Sequence, residues 1–536
     1  MKKALLTLTA ISLLFAVSYA QTPVAGGNVN GTWTLAGSPY TVMGSIMVPD
    51  GQTLTIEPGV TVIFEGTYKL RVSGRLLAIG TTSDSITFTA THTSNGWRSI
   101  RFDNTPVTND TSRISYCKLE YGKATGTSPD DNGGAFYFRN FSKAIISNCL
   151  ITNCKADQGG GGIYLENSNP PIINNTISNN DGWNVGGGIF CYLNSNPLIF
   201  HNTITGNSTY GNGGAGICCV NSNPTITNNT ISYNTNSYSN GGGIWSNGSS
   251  PVISSNIISN NSAPSGGGIS CHAGEPTIIN NTITNNTAKQ GGGILCNVST
   301  NPTITNNTIA NNHADNGGAL YFRATSSPTI RNTLLWGNTA GSSGQQVNIE
   351  DEGSDPNFYY CDVQGGSDAF EVNFTIYTGT YQNNLDTVPL FVAASAGSGS
   401  GFDGVIADWS LQSASPCINA GDTDGTYPTT DIAGNPRVFD GIIDIGAYEF
   451  QGYVGIYSIP DQDALILYPN PVVDYLVIEH LQKSMLEIST VDGQLIKTTP
   501  DACMKTKIYT GDLPAGVYLL KSITANGITV KKFVKR

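Results

Sequence analysis

The sequence predicts an all-β chain, a right-handed parallel β-helix followed by a small C-terminal β-sandwich. Three observations carry this: a repeat, the apolar spacing inside it, and two asparagine columns. Between Phe136 and Gly337 a unit of about 25 to 28 residues occurs eight times, and a period in that range marks a solenoid. Clear copies read GGGILCNVSTNPTITNNTIANN (291–312) and GGGISCHAGEPTIINNTITNN (266–286).

Aligned on the apolar residue after the glycines, the copies keep three apolar columns. The first runs from Phe136 and Ile163 to Leu320, the second from Ile145 and Ile172 to Ile330, and the third from Leu150 and Ile177 to Leu335. Short β-branched runs broken by Gly, Asn and Pro read as strands, three per turn. One asparagine column starts Asn148, Asn175, Asn202 and ends with Thr333; the other runs from Asn153 and Asn180 to Asn338. Asn tolerates left-handed backbone at a bend, and stacked amides bond to those above and below, so both columns read as structural ladders at strand corners.

The chain divides as follows. Residues 1–20, with Lys2, Lys3, an apolar core and Ser18-Tyr19-Ala20, read as a secretory signal peptide that leaves Gln21 as the mature start. Residues 21–132 hold an N-terminal cap and the first coils, 133–343 the regular repeats, 344–451 looser C-terminal coils, 452–463 a linker and 464–536 the small domain. Capping is a physical requirement, because an open end exposes strand edges and apolar columns. Charged residues make up 12% of the chain and its net charge is −12, which argues against nucleic acid or an anionic membrane surface as partner. No later stretch reaches the length of an apolar membrane helix.

Cys191, Cys219, Cys271 and Cys296 share one inward column. Coil-to-coil disulfides and a stack of buried thiols are both compatible with that placement. The other cysteines suggest no chemistry.

Three segments resemble known families. The pattern of residues 30–105 is similar to the opening coils of bacterial secreted β-helix proteins. Ser415 to Phe450, with SPCINAGD, TDIAGNPR and DIGAYEF in order, resembles the choice-of-anchor Q motif that closes β-helix domains of cell-surface proteins. Its carboxylates Asp422, Asp424, Asp431, Asp440 and Asp444 are candidate Ca²⁺ ligands, or equally turn caps. Residues 464–536 resemble the C-terminal sorting domain of the type IX secretion system, through Tyr468-Pro-Asn-Pro471, the turn at Asp492-Gly493, Leu513 to Tyr518 and the basic end Lys531 to Arg536. That resemblance implies export across the outer membrane by the type IX machinery, to the surface or the medium.

Strand alternation sends the residue after each first-column anchor outward: Tyr137, Tyr164, Phe190, Trp245 and Tyr321 are its aromatics. Tyr192 belongs to the next outward column. Length varies just before the glycines, where insertions add Trp183, Tyr210 and Tyr238. These nine aromatics are the expected glycan platform, with rings for sugar faces beside polar heads; the competing reading is that aromatics suit exposed strands. No catalytic constellation is evident. A polysaccharide lyase or glycoside hydrolase on the same face is the alternative, with Asp157, Asp181, Lys289 and His313 the places to look. The sequence thus points to an exported protein that binds glycan or serves as an adhesive or structural rod.

Overall fold

No single repeat can bury its own isoleucines, so the coils must stack, and stacking in register explains the architecture. A computed structural model describes residues 21–374, 376–423, 427–452, 465–479, 484–490, 494–502, 505–524 and 527–536. Predictions for the signal peptide, most of the linker, Asp424, the Asp492-Gly493 turn and Cys503 fall outside the described residues. Residues up to Gln451 form one unit and Gly452–Arg536 a second.

The first unit is a right-handed β-solenoid of three parallel sheets, each of fourteen strands. Adjacent coils about 4.8 Å apart give a length of roughly 60 Å. The glycine-led sheet contains Phe136–Arg139 and its equivalents, the second sheet Ala144–Ser147, and the third Leu150–Thr152. Pairing is residue-on-residue, as in Ile163↔Ile189↔Ile217↔Ile244. These columns are fully buried, and each such side chain contributes about 1.5–3 kcal/mol relative to exposure.

The register of the first copy differs from the sequence reading by one residue. Ile146, not Ile145, stands opposite Ile172, and Ile151, not Leu150, stands opposite Ile177. Two adjacent branched residues make alternation ambiguous, and the corner decides. Asn148 and Asn153 have φ of 53° and 55°, like Asn174 and Asn179, so they occupy the outward left-handed corner rather than the ladder. Cys149 and Cys154 take the ladder positions, donating their backbone N–H to Asn175 Oδ1 (2.9 Å) and Asn180 Oδ1 (3.0 Å).

From there the ladders are regular. Asn180 Nδ2 donates to Ile151 O and to Asn207 Oδ1, both at 3.0 Å, and Asn207 repeats this with Ile177 and Asn234. Thr333 ends one ladder with its hydroxyl and Asn338 ends the other. A further ladder, on the exposed corner, links Asn169, Asn196, Asn223 and Ser250. The ten described cysteines are buried free thiols. Hydrogen bonding to Cys219 and burial push the Cys191 thiol upward.

After the last coil the chain turns back and lies along the solenoid as a strap. Outward corner asparagines receive it: Asn311 Nδ2 donates to Ser395 O (3.1 Å), Asn285 to Gly397 O (2.8 Å) and Asn260 to Phe402 O (2.6 Å). Asn332 binds both the N–H and the carbonyl of Asp422. Residues 431–449 then fold around the fully buried Arg437, which donates to Gly446 O and lies 3.9 Å from Glu449.

The second unit consists of antiparallel sheets of three and four strands around one apolar core that includes Leu476, Ile488, Leu520 and Phe533. Burial alternates along Tyr475–Glu479 and Ser484–Thr490, with Leu476, Ile478, Leu486 and Ile488 turned inward. No described helix is long and apolar enough to cross a membrane.

Candidate functional site

The face carrying the variable loops is the natural place for a site. Tyr137, Tyr164 and Phe190 are direct partners on consecutive strands, followed by Cys218 and Trp245. Tyr137 and Tyr164 stack at 5.2 Å and 5°, and Phe190 meets Tyr164 edge-on at 5.5 Å. Alternation does turn these rings away from the main core, yet they are not an open platform. Tyr137 is 0%, Tyr164 5%, Phe190 7%, Trp245 7% and Tyr321 3% exposed. Tyr137, Tyr164, Phe190 and Trp245 form a satellite core with Cys218 and Val185, Tyr192 lies half-buried at its edge, and Tyr321 is buried apart from it, three coils beyond Trp245.

The cover is a layer that sequence reading treated as mere insertions. Lys123–Ala124, Lys155–Ala156, Asp181–Gly182, Ser208–Thr209 and Thr235–Asn236 form an additional five-stranded parallel sheet. The loops that follow it fold over the rings. Glycine permits that approach: a Cβ at Gly159 would sit 2.6 Å from the Phe190 ring, and one at Gly213 3.0 Å from Cys218 Sγ.

Exposure passes to the loop tips. Trp183 is 60%, Tyr210 50% and Tyr238 71% exposed. Trp183 and Tyr210 stand 5.2 Å apart at 33°, and the Tyr210 N–H donates to Trp183 O at 3.0 Å. Coil stacking therefore sets these two rings side by side along the rod, and Tyr238 follows on the next coil, one residue past the position opposite Tyr210.

The residues named for catalysis are not gathered. Asp181 pairs with Lys155 at 3.3 Å, and Asp157 is exposed two residues beyond that lysine. His313, five coils from Asp181, hydrogen-bonds Thr339 on the neighbouring coil (2.9 Å), beside the strap at Gly399. Lys289 is exposed on Thr287–Gln290. The described aspartates of the closing segment likewise serve separate bonds. Asp422 pairs with Arg331, Asp431 accepts from the backbone N–H of Asn435 and Glu449, and Asp444 accepts from those of Asn419 and Phe450. Asp440 occupies a left-handed turn at φ 54°. Among the described residues no group of three or more His, Cys, Asp or Glu is placed to hold a metal ion.

His272 gives the face a pH response. Burial, then the charge of Arg323, lower its pKa to about 4, against an ordinary value near 6.5. The unfolded chain therefore takes up this proton before the folded one, so stability present above pH 6.5 is lost as pH falls toward 4. The denaturation midpoint of His272→Gln is expected to fall less over that window than that of the unsubstituted chain; parallel curves would refute the assignment.

Sequence reading missed a cationic group on the same face, in coils assigned to capping. Lys69 and Arg98 bond Asp130 at 3.1 and 2.9 Å, and Arg101 stacks on Tyr137 at 3.7 Å. The alternating cations of Tyr68-Lys69-Leu70-Arg71 were the available signal.

Comparison with family models resolves the solenoid. Residues 44–212, 106–283, 203–334 and 275–385 match the right handed beta helix region. The chain belongs to this right-handed β-helix family. Residues 466–536 of this β-helix protein match the secretion system C-terminal sorting domain. The type IX route therefore carries it to the cell surface or the extracellular space. Comparison with curated proteins and with solved structures gave no match.

Proposed function

We propose that this exported β-helix protein binds glycan, with Trp183, Tyr210 and Tyr238 as the contact row. The observation that carries the reading is their exposure on successive coils, on loops whose backbone is held by an additional parallel sheet. Exposed rings on successive coils offer apolar surface to successive sugars, and a preordered row spares the ligand the entropy of ordering it. Tyr137, Tyr164, Phe190 and Trp245 serve this row by packing beneath the loops, Tyr192 edges it, and Tyr321 lies three coils further along the same column. The dispersal of Asp157, Asp181, Lys289 and His313 favours binding over cleavage. Residues 415–450, which resemble the choice-of-anchor Q motif, act in this reading as the clasp that closes the rod before the sorting domain.

The test is retention of the full exported chain in gels containing neutral and acidic polysaccharides. The double variant Trp183→Ala, Tyr210→Ala is expected to lose at least tenfold in retention, since truncating an aromatic anchor costs about 2 kcal/mol. Its thermal midpoint should hardly move, because both side chains are exposed. Unchanged retention, or new reducing ends in the gel, would overturn the proposal.

A further inference from the structure

The off-core column that is aromatic from Tyr137 onward is cationic before it: Arg71 pairs with Arg101, and Arg101 with Tyr137. Around these arginines lies a pocket of about 200 Å³ lined by Lys69, Arg71, Arg101, Asp103, Pro129 and Asp130. Arg98 reaches its wall by bonding Asp130 at 2.9 Å, and Arg139 does so through Asp103 at 2.8 Å. Five cations thus meet Asp103 and Asp130, with Glu166 acting on Arg139 from the next strand, an excess of +2 in a chain of net charge −12. Asp131, next in sequence, bonds Asn132 instead.

The cations are not equivalent. Arg101 is 2% exposed and spends its N–H groups on Pro129 O (2.8 Å) and Asn132 O (3.1 Å), which fixes the loop forming the wall. Lys69 and Arg98 are committed to Asp130. Burial would raise that carboxyl, but Lys69, Arg101 and Arg98 hold it below the ordinary carboxylate range, so it stays charged and does not compete for protons. Arg71 is exposed, and its guanidinium makes no hydrogen bond or ion pair among the described residues. A free guanidinium beside further cations, on a floor already rigid, offers the oxygens of a carboxylate or sulfate paired charge-assisted hydrogen bonds.

The wall loop, residues 125–132, is the first of the row that continues through 157–159 to Trp183, two coils or roughly 10 Å along the rod. We propose that this pocket binds the carboxylate or sulfate of an acidic saccharide, with Arg71 as the principal ligand-facing cation, and that the aromatic tips hold the sugars that follow. The inference rests on the glycan reading and names its substrate class as acidic.

The full chain and its Arg71→Glu variant would be compared on polygalacturonate, a sulfated galactan and a neutral galactan at low and moderate salt. Retention on at least one acidic polymer is expected to exceed that on the neutral one, to fall with salt, and to drop at least tenfold in Arg71→Glu. Retention on the neutral galactan should be unchanged by Arg71→Glu and lost in Trp183→Ala, Tyr210→Ala. The two acidic arms show whether carboxylate or sulfate is the group held. Equal retention of acidic polymers by Arg71→Glu and the unsubstituted chain overturns the pocket while leaving the aromatic row standing. Loss of neutral binding in the aromatic variant with no preference for acidic polymers does the same, and no retention of any polymer removes both. If Arg71→Glu does not fold, displacement of the unsubstituted chain from the acidic gel by free galacturonate but not by galactose decides the matter; equal displacement by the two sugars overturns the pocket.

Discussion

Asn234→Ala is expected to destabilise the solenoid by about 4 kcal/mol although it removes only a small polar side chain. Asn234 Nδ2 donates to Ile204 O and to Asn261 Oδ1, both at 2.9 Å, while its Oδ1 accepts from the backbone and side chain of Asn207, both at 3.0 Å. The residue is 0% exposed. Alanine would strand two buried donors and an acceptor, and each stranded group costs about 1–3 kcal/mol. Asn223 supplies the contrast: its Oδ1 accepts from the Ser250 N–H at 2.6 Å in the same ladder style, but on the exposed corner. There water replaces the lost acceptor, and Asn223→Ala should cost about 1 kcal/mol or less. Chemical denaturation of the two variants under identical conditions checks the pair, and equal losses would mean that burial does not govern the ladders.

Arg437→Met is expected to free the strap, at about 3–5 kcal/mol, the usual result of removing one side of a buried ion pair. Arg437 is the only cation within the buried carboxylates Asp431, Asp444 and Glu449 among the described residues. Burial, followed by the like charge of Asp444, already pushes Glu449 up to about 8 even with the arginine and the backbone donors opposing. Without the guanidinium the group has no positive counterpart, and its closure over Asn332 and Thr308 becomes unfavourable. Amide exchange should accelerate across residues 388–450 while the coils from Ile163 to Ile244 keep their protection. Unchanged exchange in the strap would sink this account of how it is held.

The solenoid was readable from the sequence because the same physical demand recurs through the regular repeats: one apolar anchor, mostly isoleucine, per sheet and, in most copies, one asparagine per buried corner. Register failed only in the first copy, where Ile145-Ile146 and Leu150-Ile151 satisfy alternation in two ways and only the left-handed corner chooses between them. The site was less accessible. Alternation correctly turns Tyr164 and Trp245 off the core, but it cannot say what lies above them. Their cover comes from loops that begin one strand earlier and cross the face through the glycines. Arg71 and Arg101 were missed for a related reason. They continue the aromatic column in space, but they sit in irregular coils where no repeat aligns them.

The strap imposes an order of assembly. Ladder bonds join residues only 25 to 30 apart in sequence, whereas Asn311, Asn285 and Asn260 reach partners 84, 112 and 142 residues later. Coil-on-coil pairing closes small loops and can propagate like a zipper, each turn templating the next. The strap closes far larger loops, each at a greater entropic cost, and its docking surface exists only once several coils are in place. Completion of the rod is therefore a late event reserved for chains synthesised past the strap, just before the export tail. A nascent chain stopped within the repeats would hold a zipped solenoid with its corner asparagines bare, and would lack both its clasp and its passage out of the cell.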